Sequence, residues 1–280
     1  MVNEARSRLI EATQSCFHVL DDAPPAFAPV RLDGVQGRLG STTYPPMWNE
    51  IGMAAFETRD VARSVEGIVA RFRDEGQPFG WLVGPSSSPP NLVVHLEAAG
   101  LQRLPSEAGV GMVLADTRRR AGPTAGVRVE EVDFDDVWRA ATLVASAFGS
   151  GMDRHAFGAG MTVDDARAFI EALASLQSSW HSRAYLAFVR GRREPAGFGL
   201  MIDSGRDDIV WMIAAGTQRS ERGRGVYRSL VDRRAADACA DGAGAVITTV
   251  NRATASGVAR RVGFQQLCEL ELYGWTPTSA

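Results

Sequence analysis

Between Ala184 and Ala215 three apolar runs follow one another closely: Ala184–Val189, Ala196–Ile202 and Ile209–Ala215. The links RGRREP and SGRDD are turn-forming segments, too short for the crossover of about a dozen residues that parallel neighbours need. The three runs are therefore expected to form an antiparallel meander, and any fold for this chain has to be built around it.

The elements on either side extend the pattern. Before the meander come a strand at Val127–Val132 and helices at Asp135–Phe148 and Val163–Leu176. After it the loop GTQRSERGRG feeds a helix from Val226 to Ala240, which Asp241-Gly242 should end as a glycine C-cap. A strand Ala245–Val250, a short helix Ala255–Arg261 and a strand Gln266–Tyr273 follow. The first part of the chain reads as a helix Glu4–Leu20, strands near Val30–Leu32 and Gly52–Phe56, and a helix after the cap-like Thr58–Asp60. That helix repeats Val61, Val65, Ile68, Val69 and Phe72 at spacings of three and four. A strand Phe79–Val83, the turn GPSSSPP, a helix Asn91–Ala99 and a strand Val110–Leu114 complete it. The fold class is α/β. A run of three arginines followed by Gly, Pro, Thr, Ala and Gly marks a linker at 119–126, separating domains expected at 1–118 and 127–280.

Composition removes several functions. With 45% hydrophobic and 22% charged residues and a mean hydropathy of -0.10, the chain can fill a core and is not a disordered tail. A net charge of -3 and a pI near 5.9 leave no global positive field for nucleic acid, and no uninterrupted apolar stretch is long enough to span a membrane. All 30 basic residues are arginine, so lysine Schiff-base and P-loop chemistry are excluded. Cys16, Cys239 and Cys268 are far apart, without a CxxC pair, which fits a reducing cytoplasm and neither a disulfide framework nor a zinc site. HExxH, GxSxG and DxDxDG patterns are missing, so metal hydrolysis, serine hydrolysis and calcium binding have no support and no metal is expected.

The most informative loop is Arg222-Gly223-Arg224-Gly225-Val226-Tyr227, where a strand runs through a turn into a helix. Small residues at a helix start leave several backbone N–H groups pointing outward at the positive end of the helix dipole, and flanking arginines add charge-assisted donors suited to a diphosphate. A plain glycine-rich turn with solvated arginines is the bland alternative. A dinucleotide fingerprint does not fit, because Arg228 stands at the third glycine position of GxGxxG and the preceding strands are joined as hairpins.

With Arg222 and Gly225 matching R/Q-x-x-G-x-G/A at the start of a central helix, and with RRVGF at 260–264, residues 127–280 resemble the GNAT superfamily of acyl-CoA-dependent N-acyltransferases. The helix, strand, Pro-turn, helix, strand order of the first part, with GWLVGPSSSPPNLVVHLEAAGL, resembles the degenerate N-terminal domains of tandem GNAT proteins. The resemblance implies two tandem GNAT-like domains, each a mixed, mostly antiparallel sheet flanked by helices, the first without a CoA motif. It also implies acetyl-CoA as co-substrate. The amides of Arg224, Gly225, Val226 and Tyr227, with Gly223, would hold the pyrophosphate, and Arg222 would fix the loop. Ala215, Gly216 and Thr217 would pair with the pantetheine as an added strand. Asn251 would bond the pantetheine or a water. The implied reaction is direct attack of a small-molecule amine on the thioester, in a cytoplasmic monomer or homodimer.

The sequence departs from the family pattern at the chemistry. Tyr227 stands at the last G/A position and must point away from the diphosphate. Ala259 stands where many members place the tyrosine that protonates the leaving thiolate, and the strand IVWMIAA carries no carboxylate to act as base. Asp207 and Asp208 sit at that strand's beginning, and His155, His181, Tyr273 and Cys268 are further acid/base candidates; no catalytic residue is assigned. Residues 148–161, rich in Gly and Met, are expected to be a substrate loop. A CoA-binding sensor or scaffold without transferase activity, and an acyl-CoA enzyme of another reaction type, remain alternatives.

Overall fold

The computed structural model describes residues 2–15, 27–32, 34–40, 49–56, 60–74, 76, 78–105, 108–117, 122, 124–137, 142–143, 145, 162–175, 181–203 and 208–275. In chain order its elements are helix α1 (Val2–Ser15), strands β1 (Phe27–Leu32), β2 (Val35–Gly40) and β3 (Glu50–Ala54), helix α2 (Val61–Asp74), strand β4 (Phe79–Val83), helix α3 (Leu92–Ala98), and strands β5 (Gln102–Arg103), β6 (Gly109–Leu114) and β7 (Val127–Val132). Helices α4 (Phe134–Val137) and α5 (Val163–Ser175) follow, then strands β8 (His181–Val189), β9 (Gly197–Asp203) and β10 (Ile209–Thr217), helix α6 (Val226–Ala240), strand β11 (Ala245–Asn251), helix α7 (Ser256–Arg261) and strand β12 (Phe264–Trp275).

Two compact units are present: Met1–Gly111 with Val250–Ala253 and Leu267–Ala280, and Met112–Thr249 with Thr254–Gln266. Cutting the chain at 119–126 would leave all of the closing strand with the second domain. Residues from Leu267 onward instead group with the first unit, because Glu271–Trp275 pair antiparallel with Val83–Phe79 of β4. Sequence order assigned that strand to its neighbours in the chain, whereas register assigns it to its hydrogen-bonded partner.

In the first unit β1, β2 and β3 form an antiparallel run, and β3 pairs with β4 in parallel at Glu50↔Gly80 and Ile51↔Trp81. A helix, α2, makes the parallel crossover. The five residues that repeat at three and four along it, Val61, Val65, Ile68, Val69 and Phe72, are the five it buries. They pack into one core with Ile51, Trp81, Leu92, Leu96 and Tyr273, and Phe72 stacks on Phe79 with ring centroids 4.4 Å apart.

The second unit contains the meander expected from the short turns. Strands β7, β8, β9 and β10 pair antiparallel in that order, and β10 then pairs in parallel with β11 at Ile209↔Ala245, Val210↔Val246 and Trp211↔Ile247. Helix α6 supplies the crossover. It ends at Asp241 with Gly242 at φ +90°, where Ala243 N–H donates to Ala238 O at 2.9 Å, the glycine stop read from the sequence. One face of α6 carries Val226, Leu230 and Arg234 at i, i+4 and i+8, and they lie over Gly197 and Gly199 of β9. A Cβ on Gly197 would stand 2.6 Å from Val226 Cγ1, so these glycines let the helix axis approach the sheet. Arg183 of β8 ties the far end, donating to both Glu131 carboxylate oxygens at 2.9 and 2.6 Å and to Asp241 Oδ2 at 2.7 Å.

Candidate functional site

Strand β10 changes character halfway. Ile209–Met212 are buried, whereas Ile213–Thr217 are half-exposed, and the register against β9 shifts between Ile213 and Gly216. Ala214 sits in this bulge at φ +44°, a left-handed conformation that a residue with a Cβ adopts only where its surroundings impose it. Parallel pairing with β11 stops at Trp211↔Ile247, and the next link is the Thr248 hydroxyl, which donates to Met212 O at 2.7 Å. Beyond it, among the described residues of this unit, Ala215, Gly216 and Thr217 pair only on the β9 side, at Gly216↔Phe198 and Thr217↔Gly197. The bulge therefore turns the end of β10 out of the parallel pair and leaves one edge open to an extended ligand.

The chain then enters a 3-10 turn, Arg219–Glu221, and the glycine loop. Gly223 and Gly225 both lie at positive φ, +81° and +79°, and Gly225 is the N-cap of the fifteen-residue α6 without any side-chain cap. Among the described residues no hydrogen bond takes up the N–H groups of Gly223, Arg224, Gly225, Val226 or Tyr227. These are the donors expected from the sequence. They share one loop, at the helix end whose dipole favours an anion. Arg222, exposed at the loop, places Nε 3.5 Å from Thr217 O, joining the end of β10 to the loop.

One residue that sequence reasoning missed holds this loop. Glu221, the single acid in SERGRG, has a side chain only 3% exposed; its two oxygens accept from Arg192 Nη2 at 3.1 Å and Arg224 Nη1 at 2.8 Å. Arg192 comes from the turn between β8 and β9, which also meets the loop through Gln218 N–H donating to Ala196 O at 2.8 Å. The two guanidiniums neutralise this buried carboxylate. A lone acid between arginines was the only sequence signal.

Burial pushes the Tyr227 hydroxyl above the ordinary tyrosine value, opposed by the nearby cation of Arg234. Arg234 is itself fully enclosed, which lowers its pKa. It donates Nε to Leu230 O at 3.1 Å and Nη1 to Leu200 O at 2.8 Å.

The remaining candidates scatter. Asn251 closes β11, groups with the first unit, and accepts Ala253 N–H on Oδ1 at 3.0 Å. Tyr273 and Cys268 also lie in the first unit, Tyr273 within its core beside Trp81, and burial raises the pKa of both. Asp208 forms a turn: its carbonyl accepts Gly244 N–H at 2.7 Å and Ala245 N–H at 3.0 Å. Ala259 is fully buried on α7. Asp207, His155 and the loop 148–161 lie outside the described residues. No group of three His, Cys, Asp or Glu among the described residues could hold a metal ion, and no described helix is long and apolar enough to cross a membrane.

No protein-family model matches the sequence, and no curated protein does. Solved structures do. A GCN5-related N-acetyltransferase from Kribbella flavida is similar at a TM-score of 0.65 and 17% identity, over 96% of this chain and 95% of that one. A tandem GNAT protein from the clavulanic acid biosynthesis pathway is similar at 0.61 and 16% identity, over 96% and 89%. A GCN5-related N-acetyltransferase from Sphaerobacter thermophilus is similar at 0.61 and 16% identity, over 98% and 93%. The chain has the GNAT fold, and the resemblance seen at Arg222, Gly225 and RRVGF extends to the architecture of the whole chain.

Proposed function

We propose that the second unit binds acyl-CoA, and that the protein is an acyl-CoA-dependent N-acyltransferase moving an acetyl group from acetyl-CoA to an amine of a small molecule. The observation that carries this reading is the pairing of two features in one short stretch. The free edge at Ala215–Thr217 suits the amides of a pantetheine arm, and the unclaimed N–H groups of Gly223–Tyr227 suit its diphosphate. The solved N-acetyltransferases of the same fold support the reaction class.

In this reading the amine nitrogen attacks the thioester carbonyl, the new C–N bond forms and the C–S bond breaks. The amine gives up its proton through ordered water, and the CoA thiolate takes one up. An N–H near Ala215 polarises the thioester oxygen. The first unit is a GNAT-like partner without a CoA site. We place the protein in the cytoplasm, as a monomer or homodimer without nucleic-acid or membrane partners.

A second reading has its own support. Ala259 offers no hydroxyl for the thiolate, and β10 bears no carboxylate, both of which favour a CoA-binding sensor or scaffold. The test is calorimetric titration with CoA and acetyl-CoA of the wild type and Arg222→Ala, followed by thiol release from acetyl-CoA with a panel of amines. Binding weakened by the substitution, with amine-dependent thiol release, supports the transferase. Binding without release supports the sensor, and no binding overturns both.

A further inference from the structure

Residues 119–126 read from the sequence as a linker, yet Thr124 makes specific bonds to the start of α6. Its N–H donates to Ser229 Oγ at 2.9 Å, and that hydroxyl donates to Gly225 O at 3.0 Å. Ser229 is fully buried, and its own N–H donates to the same carbonyl at 2.9 Å. Thr124 is held from the other side as well, because Val127 N–H, at the start of β7, donates to Thr124 O at 2.9 Å. The threonine side chain covers Gly225: a Cβ on that glycine would stand 2.6 Å from Thr124 Oγ1 and 2.8 Å from its Cβ and Cγ2. Two constraints thus act on Gly225. Its φ of +79° disfavours any side chain, and Thr124 fills the space a side chain would take.

We propose that Thr124, acting through Ser229, is a positioning residue for the phosphate-binding loop. It locks Gly225 in the left-handed conformation that turns the amides of Gly223–Tyr227 outward. This rests on the acyl-CoA reading above and adds to it a residue outside the R-x-x-G-x-G pattern. An unlocked glycine at φ > 0 samples many conformations, and a loop that must be ordered on binding loses affinity. Thr124 and Ser229 therefore act on how tightly the diphosphate is held, and neither bonds it.

The experiment is calorimetric titration of the full chain with CoA, alongside thermal unfolding without ligand. Ser229→Ala removes the relay and is expected to weaken CoA binding about tenfold, with Ser229→Thr, which keeps the hydroxyl, restoring most of it. Gly225→Ala is expected to weaken binding further. Adding Thr124→Gly to it should recover at least about threefold by removing the atoms that the new methyl meets, while the strain at φ remains. A Ser229→Ala protein that melts lower yet binds CoA like the wild type would show a purely structural role and overturn the proposal. So would a double variant no better than Gly225→Ala. A wild type that does not bind CoA overturns the functional reading, and this inference with it.

Discussion

Gly199 of β9 and Arg234 of α6 lie so close that a Cβ on the glycine would stand 2.9 Å from the guanidinium carbon. The arginine cannot yield, because it is buried and both Nε and Nη1 are bonded to backbone carbonyls. Gly199→Ala is therefore expected to cost about 1–3 kcal/mol through overpacking. Its Tm should fall by at least about 2 °C. The displaced helix also carries at its N-terminus the loop proposed to hold the diphosphate, so CoA binding should weaken in the same variant. An unchanged Tm would mean that α6 is not seated on these glycines.

Glu221 makes a second prediction in which magnitude decides. Removing one partner of a fully buried ion pair costs about 3–5 kcal/mol. Here the carboxylate side chain is 3% exposed while Arg192 and Arg224 are 62% and 50% exposed, so solvent takes up much of the loss. Glu221→Ala should accordingly cost about 1–2 kcal/mol in urea unfolding. Glu221→Gln, which keeps the shape and an acceptor, should cost less. Equal losses would show that the charge alone matters at 221.

Much of this was legible in the sequence, and the failures have a common cause. Strands β4 and β7 and helix α6 lie where apolar period and turn residues put them, and all five buried residues of α2 were visible in its spacing. Strand β2, VQGRLG, was not. It is paired on both sides, yet its glycines and arginine carry no apolar alternation. On α6 the buried Ser229, Asp232 and Arg234 break the helical stripe; Ser229 accepts from Thr124 N–H and Arg234 donates to Leu200 O, partners that only the fold supplies. The candidate site divided likewise. Donors that belong to a local turn, Gly223–Tyr227, could be read from their order in the chain. The ion pair from Arg192 and the bond from Thr124, which cross from other elements, could not.

Tyr185 sets the alkaline limit of the second unit. Its ring is fully buried and its hydroxyl donates to Asp237 Oδ2 at 2.9 Å. Burial first, and then the negative charge of Asp237, push its pKa well above the ordinary tyrosine value, with Arg183 opposing. The native state thus holds this proton more tightly than the unfolded chain, whose phenol titrates near about 10. The resulting stability is complete below that value and is lost as pH rises above it. The urea midpoint of the wild type should fall steeply above about pH 10. Tyr185→Phe, lower at neutral pH by about 1 kcal/mol for the lost hydrogen bond, should fall less steeply. Parallel curves would remove Tyr185 from the account.

The stoichiometry of CoA binding follows from the corresponding strand pair of the first unit. There too a parallel pair, β3 and β4, opens after two residues, at Ile51↔Trp81, with helix α2 as its crossover. The edge beyond that point is already taken by the chain itself. Ser88 N–H donates to Ala54 O at 2.8 Å and Phe56 N–H donates to Ser88 O at 3.1 Å, so the turn after β4 occupies the place an extended ligand would need. Gln14 of α1, 1% exposed, clamps it: Nε2 donates to Ser87 Oγ at 2.8 Å and to Gly52 O at 3.3 Å, and Oε1 accepts Ser86 N–H at 3.0 Å. Displacing this turn would leave buried amide groups unpaired, at about 1–3 kcal/mol each, before any ligand bond formed. Titration should therefore find one CoA per chain, weakened by Arg222→Ala and insensitive to Gln14→Ala. Two equivalent sites would add binding to the first unit, and a site that responds to Gln14 and not to Arg222 would move it there.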